Sequence, residues 1–438
     1  AFCGSLKGDL LIANYGIGDD ITRVQLSPDG TAVVRSESLV GGFNNPVPLT
    51  QGPDGTIYVG EFGANQVTAL APVNIGCWAD RAPLPAELLD AGGAVVGGKL
   101  YLVAGEAGAG HLSSLWIYDP AIDSWSSGPA LPGAAVENPA VATDGGKLYV
   151  FGGSTHSFSG ALTNAAVFDP KTNTWTSLPP MTTARSGAMA KAIGGKIYVA
   201  GGMGGDGASL DSVEVFDPAA AGGAGAWGTA ASMGSRRDNA GSAVLGGKLY
   251  VFGGSTRNSD GSYVDRTLDT VEMYDPGSDG WTARAPMPTG RQSMVVGTLD
   301  NRAQVMGGEV NPTPPGTFAA NEEYDPATDS WRGLHSMPTP RHGAAAGTIG
   351  DIIYVVGGGP ESLTSFSGLN EAFSFKPFPG QPSLPPPGPP GPPAGQPPTS
   401  VDNTRACAAL RKKLKRARHR GKTGKVRKLR RQLKKLAC

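Results

Sequence analysis

The chain has 438 residues, and its formal net charge of zero is the sum of two opposite parts. Residues 405–438 carry 16 basic residues and no acid, which leaves 21 basic against 37 acidic residues in residues 1–404. Glycine accounts for 66 residues, roughly twice the usual ~7%, and no apolar run reaches the ~18 residues a membrane-spanning helix needs. Long helices are thereby excluded for most of the chain, and many tight turns between short strands are expected.

The chain starts at Ala1 and reads as one whose leader, if it had one, is already gone. Its four cysteines, Cys3, Cys77, Cys407 and Cys438, form an even set that permits two disulfides and favours an oxidising compartment. Two early segments, residues 9–16 (DLLIANYG) and 53–61 (PDGTIYVGE), read as strands bounded by turn residues. They resemble the NHL type of propeller repeat. Cys3 falls on the first strand and Cys77 beside Trp78 on an outer strand, so a Cys3–Cys77 bridge requires the N-terminus to run outward.

From residue 78 the sequence repeats itself. KLYVFGG at 147–153 recurs as KIYVAGG at 196–202, KLYVFGG at 248–254 and DIIYVVGG at 351–358, with weaker copies at 99–105 and 302–308. Each is preceded by a tryptophan: Trp78, Trp125, Trp175, Trp227, Trp281 and Trp331. The distance from Trp to the second Gly is 27 residues in five units and 28 in the other, whereas the distance onward to the next Trp varies from 20 to 27. A constant half and a variable half describe a packed unit with a tolerant surface loop. A third marker, aromatic-Asp-Pro, occurs at 118–120, 168–170, 216–218, 274–276 and 324–326; proline has no N–H for a ladder, so it ends a strand.

Each unit therefore reads as four short strands, with Gly-Gly where backbones approach closely and Trp where neighbouring units meet. These motifs, over roughly residues 75–377, resemble the Kelch repeat family, which implies an all-β β-propeller. Counting second strands near residues 10, 57, 101, 149, 198, 250, 304 and 353 gives eight four-stranded blades. Seven is the alternative, with the N-terminal segment only completing the last blade. The last unit shows no Trp strand of its own, so its outer strand is missing or lent by the N-terminus.

The resemblance includes copper radical oxidases, which need two imidazoles, two tyrosines and a Cys–Tyr cross-link. Residues 1–377 hold only His111, His156, His335 and His342, no Tyr-His pair, and only Cys3 and Cys77. No catalytic constellation, cofactor or metal is expected, and the Asn258–Gly261 loop reads as a plain turn. Arg185, Arg237, Arg291 and Arg341 each lie 17 residues before the second Gly of their unit, where other units place Asn44, Leu88 and Val136. At the turn entering the innermost strand they are expected at the channel mouth. They form either an anion-selecting patch or a structural part of the repeat that bonds carbonyls between blades. A clustered His/Glu/Asp site at that mouth would favour an enzyme acting on sugars. A channel lined by Gly, Ala and backbone would favour a binding module.

The propeller is expected to end at 377. Residues 377–398 contain 12 prolines in 22 positions, a polyproline II spacer assigned with its flank to 378–404. In 405–438, Leu410, Leu414 and Ala417, then Val426, Leu429, Leu433 and Leu436, recur at helical spacing around a Gly-containing break at 419–424. This predicts a small α-helical hairpin whose equal arms place Cys407 opposite Cys438, closed by a disulfide. Its cationic surface is Arg411, Lys412, Lys415, Arg416, Arg418, Lys425, Arg427, Lys428, Arg430, Arg431, Lys434 and Lys435. It lacks the aromatics of a base-stacking surface and the apolar face of a membrane helix, which disfavours nucleic acid. An anionic cell-envelope polymer, an acidic glycan or the acidic body of another copy fits better, and the expected location is extracellular or cell-surface.

Overall fold

The computed structural model describes residues 76–376 and 378, apart from 157–158, 311–315 and 363–364, together with six N-terminal strands. Cys3, most of the Pro-rich spacer and the predicted basic hairpin with Cys407 and Cys438 lie outside the described residues.

Residues 76–376 build six four-stranded antiparallel sheets, the blades of a β-propeller. In the first blade Gly92–Val96, Lys99–Val103, Leu115–Asp119 and Ser124–Gly128 pair in that order from the axis outward. The next four blades repeat the plan, beginning at Ala140–Asp144, Met189–Ile193, Gly241–Leu245 and Val295–Leu299. The sixth combines Ala345–Ile349, Ile352–Val356 and Asn370–Ser374 with Cys77–Asp80, which supplies its outer strand. The strand missing from the last unit is thus lent by the segment around Trp78, from just before the first blade.

The expectation of eight blades is corrected to six, and the alternative of seven falls with it. The strands Leu10–Ala13, Ile21–Leu26 and Val33–Val40 form one three-stranded sheet, and Pro46–Gln51, Ile57–Glu61 and Gln66–Leu70 form another. Neither belongs to a blade, because the ring closes without them.

Three closed circuits of hydrogen bonds show that closure. Around the axis, the amides of Asp90, Asn138, Gly187, Asn239, Ser293 and Gly343 each donate to the corresponding carbonyl of the neighbouring blade at 2.8–3.0 Å, with Asp90 donating to Gly343. All six residues have φ between 50° and 62°, a conformation open to Gly and Asn and costly for most other residues. Further out, the second Gly of each doublet donates to the carbonyl at the Arg position of the next blade: Gly105 to Val136, Gly153 to Arg185, and so on to Gly358 to Leu88. At the perimeter the six repeat tryptophans each donate Nε1–H to a carbonyl of the preceding blade at 2.8–3.0 Å, from Trp125 to Ala82 round to Trp78 to His335.

The repeat motifs acquire physical reasons. A Cβ at Gly152, Gly253 or Gly307 would sit 2.2–2.6 Å from the carbonyl oxygen of the next Arg. The first blade alone carries Ala104 there, with φ 59°. The aromatic of aromatic-Asp-Pro lies directly across from the Trp, as in Phe216↔Trp227; Phe373 takes its place in the sixth blade, which lacks the motif, and the ring centroids are 5.0–5.2 Å apart in all six blades. Such pairs contribute about 0.5–1.5 kcal/mol beyond the area they bury. The Asp caps its own turn and pairs with the cation that opens the second strand, as in Lys99–Asp119 at 2.9 Å and Arg302–Asp325 at 2.7 Å.

The polar belt of the channel as candidate binding site

The four arginines do not face the channel mouth. Each is at most 1% exposed and turns into its own blade. Arg185 donates to the carbonyls of Gly201 and Ser212 and pairs with Glu214 at 3.2 Å. Arg237 pairs with Glu272, Arg291 with Glu322 at 2.6 Å and Arg341 with Glu371 at 2.6 Å. The same glutamates accept from the turn that carries the arginine, through Thr182, Gly234, Thr289 and Thr339. Arg237, Arg291 and Arg341 keep an Nε without a hydrogen-bond partner, but it is buried inside the blade, out of reach of an incoming anion. The quartet is thus a set of intrablade clamps and forms no anion patch, which corrects the ligand-binding expectation.

The chemistry lies one residue further along. The positions after the Arg slot are Leu89, Glu137, Ser186, Asp238, Gln292 and His342. Each forms a β-bridge with the residue after a Gly-Gly position: Glu106, Ser154, Met203, Ser255, Glu309 and Gly359 respectively. Ten of these twelve residues are neither Leu nor Met, and together they make a belt around one end of the channel, mostly buried. Ser154 Oγ donates to Glu137 at 3.3 Å and accepts from Ser186 Oγ at 3.1 Å. Asp238 accepts from Ser209 and from Ser255 at 2.8 Å, with Arg257 Nε 3.4 Å away. Glu309 accepts from Ser362 and from Gln292 at 3.4 Å, and His342 Nε2 lies 3.9 Å from it.

Because the second strand of every blade ends at Gly-Gly, the short hairpins that follow all rise from this same end. They are Glu106–Ala107/Gly110–His111, Ser154–His156/Ser159–Ala161, Thr256–Arg257/Tyr263–Asp265 and Glu309–Val310/Gly316–Thr317. In the third, the Arg257 and Arg266 guanidiniums lie 4.3 and 4.0 Å from the centre of the Tyr263 ring, and Val264 on its return strand is 60% exposed. The predicted turn at Asn258–Gly261 is one: Gly261 N–H donates to Asn258 O, and Asp260 caps Ser262.

Below the belt, the waist formed by Asp90 and its five counterparts bounds a cavity of about 110 Å³. Burial there pushes the Asp90 carboxyl up to about 8, reinforced by the carboxylates of Glu137, Glu309 and Glu106 and partly opposed by the Asn138 side chain. Beyond the waist the channel widens to about 300 Å³ between the innermost strands, lined by Gly, Ala, Val, Thr and Ser242, with Lys191 the single charged residue. The third residue of the innermost strand is Ala94, Ala142, Ala243, Gly297 or Gly347 in five blades and Lys191 in the other. Desolvation lowers the Lys191 ammonium from the usual lysine range. Both sequence discriminators are therefore met, at opposite ends: a His/Glu/Asp cluster above and a small-residue channel below.

Cys77 is buried on the lent strand and is disulfide-bonded, its partner lying outside the described residues. Among the described residues no helix is long and apolar enough to cross a membrane.

The family model described as the KLHDC2/KLHL20/DRC7 Kelch-repeats domain matches residues 78–202 and 138–359, which is the ring itself. The chain belongs to the Kelch-repeat family. Among its relatives, Kelch-like protein 35 of Mus musculus is 28% identical over 203 residues, covering 45% of this chain and 32% of that one. Kelch-like protein terF of Aspergillus terreus is 26% identical over 243 residues, 52% of this chain and 51% of that one. Spermatocyte protein spe-26 of Caenorhabditis elegans is 35% identical over 152 residues, 32% and 26% of the two chains. The chain spans a quarter to a half of the length of these curated relatives. Among solved structures, that titled "Structure of YjhT" superposes with a TM-score of 0.56 at 18% identity, covering 66% of this chain and 95% of that one. At that identity the likeness speaks for the Kelch propeller fold alone.

Proposed function

We propose that this Kelch propeller is a binding or scaffolding module working outside the cell or at its surface. The hairpin face above the polar belt receives a partner. The cationic segment 405–438 attaches the molecule to an anionic envelope polymer or acidic glycan, or to the acidic propeller of another copy. The observation that supports this reading is charge placement. Glu106, Glu137, Asp238 and Glu309 gather at one end of the ring, while 16 basic residues without an acid are confined to the last 34. A cationic partner segment suits the first, and a polyanion suits the second.

The test uses the full-length protein in sedimentation velocity and on an immobilised acidic polysaccharide, between about 0.05 and 0.5 M salt, over which electrostatic screening tightens several-fold. Self-association or polysaccharide retention should fade with salt and vanish when the twelve hairpin cations are replaced by Gln. Retention by the Gln-substituted protein would refute the role given to the segment.

An enzyme acting on sugars, with its site at this end of the channel, is the second reading. It has one observation in its favour: Glu106 and Glu137 bring two carboxyl groups together, the residue pair that glycoside hydrolysis uses. Hydrolysis of an aryl glycoside that is lost in Glu137→Gln and in Glu106→Gln would establish it.

A further inference from the structure

Within the belt one wall differs from the rest. Glu106 and His111 stand directly opposite each other in the two-stranded hairpin Glu106–Ala107/Gly110–His111. Opposed residues of an antiparallel pair leave the ribbon on the same face. Glu137 reaches the same point from the next blade, where its bridge to Ser154 fixes the backbone. One donor atom from each of the three lies within 4.8 Å of the other two, and His111 Nε2 is 3.4 Å from Glu137 Oε2. Glu137 is 4% exposed, and the other two are half-buried.

The contrast with the other carboxylates of the belt is chemical. Asp238 is met by two hydroxyls and the Arg257 guanidinium, and Glu309 by a hydroxyl, an amide and an imidazole. At Glu106 and Glu137 two carboxylates converge on each other and on a single imidazole, with one hydroxyl, that of Ser154, donating to Glu137. Two carboxylates held this close in a poorly hydrated place either share a proton or take a cation between them. A divalent ion uses all three groups at once: two anionic oxygens and one imidazole lone pair.

We propose that Glu106, His111 and Glu137 form a site for a divalent transition metal of the zinc type, with the remaining coordination positions open on the channel side. The imidazole donor selects against Ca²⁺ and Mg²⁺, which take all-oxygen sets. Donors of a zinc site at bond lengths of about 2.0–2.2 Å lie about 3.4 Å from one another. His111 Nε2 and Glu137 Oε2 already stand at that spacing, and Glu106 can reach it by side-chain rotation on a two-residue ribbon. With three protein ligands and an open position, the metal would present a Lewis-acidic coordination site to whatever enters this end of the channel. This inference does not depend on the binding role proposed above.

The test is zinc binding by the oxidised full-length protein, stripped with a chelator and titrated with Zn²⁺ alone. Wild type should retain one Zn²⁺ per chain after desalting and show a zinc-dependent rise in melting temperature. Co²⁺ in its place should give the visible absorption of a nitrogen–oxygen site without a thiolate band. Affinity should fall at least tenfold in His111→Asn and in Glu106→Gln, whose half-buried positions spare the fold, and stay unchanged in the control His156→Asn. The proposal is overturned if no stoichiometric Zn²⁺ is retained, or if His111→Asn and Glu106→Gln hold it as tightly as wild type.

Discussion

The amide of Asp90 donates to the carbonyl of Gly343 at 2.8 Å, and with that bond the first blade meets the last. The waist residues are tied to their neighbours by the same relationship five more times, so perturbations along the channel should be felt by the whole ring. This makes global stability a sensitive measure of each site.

The Arg clamps should behave as buried ion pairs. Arg237→Ala strands Glu272 inside the blade, a loss of about 3–5 kcal/mol by the usual cost of breaking a buried pair. A surface arginine kept for ligands would cost less than about 1 kcal/mol. Urea denaturation measures the difference directly, and a loss under 1 kcal/mol would contradict the structural role.

Two glycines provide an internally controlled comparison. Gly246 and Gly253 have φ of 56° and 57°, so alanine pays the same backbone strain, about 1 kcal/mol, at either. Around Gly246 there is open space, but a Cβ at Gly253 would come within 2.6 Å of Arg291 O and Met287 Cε. Gly253→Ala should therefore be less stable than Gly246→Ala by an added 1–3 kcal/mol of overpacking, roughly. Equal melting temperatures would show that the next blade does not press on this position.

Asp90 predicts a pH dependence. Its carboxyl is raised from 3.8 to about 8, so between those values the folded state holds a proton that the unfolded state has released. Stability is full below about pH 4 and declines as pH rises through about 8. Asp90→Asn keeps the backbone bond and tolerates the positive φ, and it should flatten that decline in chemical denaturation across the range. An unchanged slope would place the titration elsewhere.

Lys191 predicts the opposite slope. Burial lowers its pKa in the folded chain, so the folded state loses its proton first as pH rises. The cost of enclosing the ammonium is present at low pH and is relieved between the folded and unfolded pKa values. Lys191→Met should be more stable than wild type at neutral pH and lose that advantage towards alkaline pH. Destabilisation at pH 7 would mean the ammonium has found a counter-charge in the channel.

What could be read in advance was whatever recurs within one blade. Gly-Gly, aromatic-Asp-Pro and Trp keep register because each is fixed by a contact that every blade repeats: the Arg-slot carbonyl, the Lys–Asp pair, the Trp–aromatic stack. Blade number was not readable in that way. It depends on which strand joins which across the whole ring, and the strands near residues 10 and 57 look like second strands without belonging to any blade. The Arg quartet was placed in the right turn but on the wrong side of it, since spacing does not say whether a side chain turns to the channel or into its own blade. The belt was missed because its members differ in type from blade to blade. Glu106 and Glu137 meet only through the fold, and the available signal was positional: the residue after each Arg slot is polar in five of six blades.

The sixth blade has a temporal consequence. Its outer strand, Cys77–Asp80, is synthesised before any other part of the ring and its partner, Asn370–Ser374, after all the rest. For as long as the chain is being made, an edge carrying Trp78 waits unpaired while five complete blades accumulate beside it. The nascent protein must keep that edge from pairing with another chain. Sealing the ring is then a single late event, and the rate at which the two ends find each other sets when the molecule first becomes resistant to proteolysis.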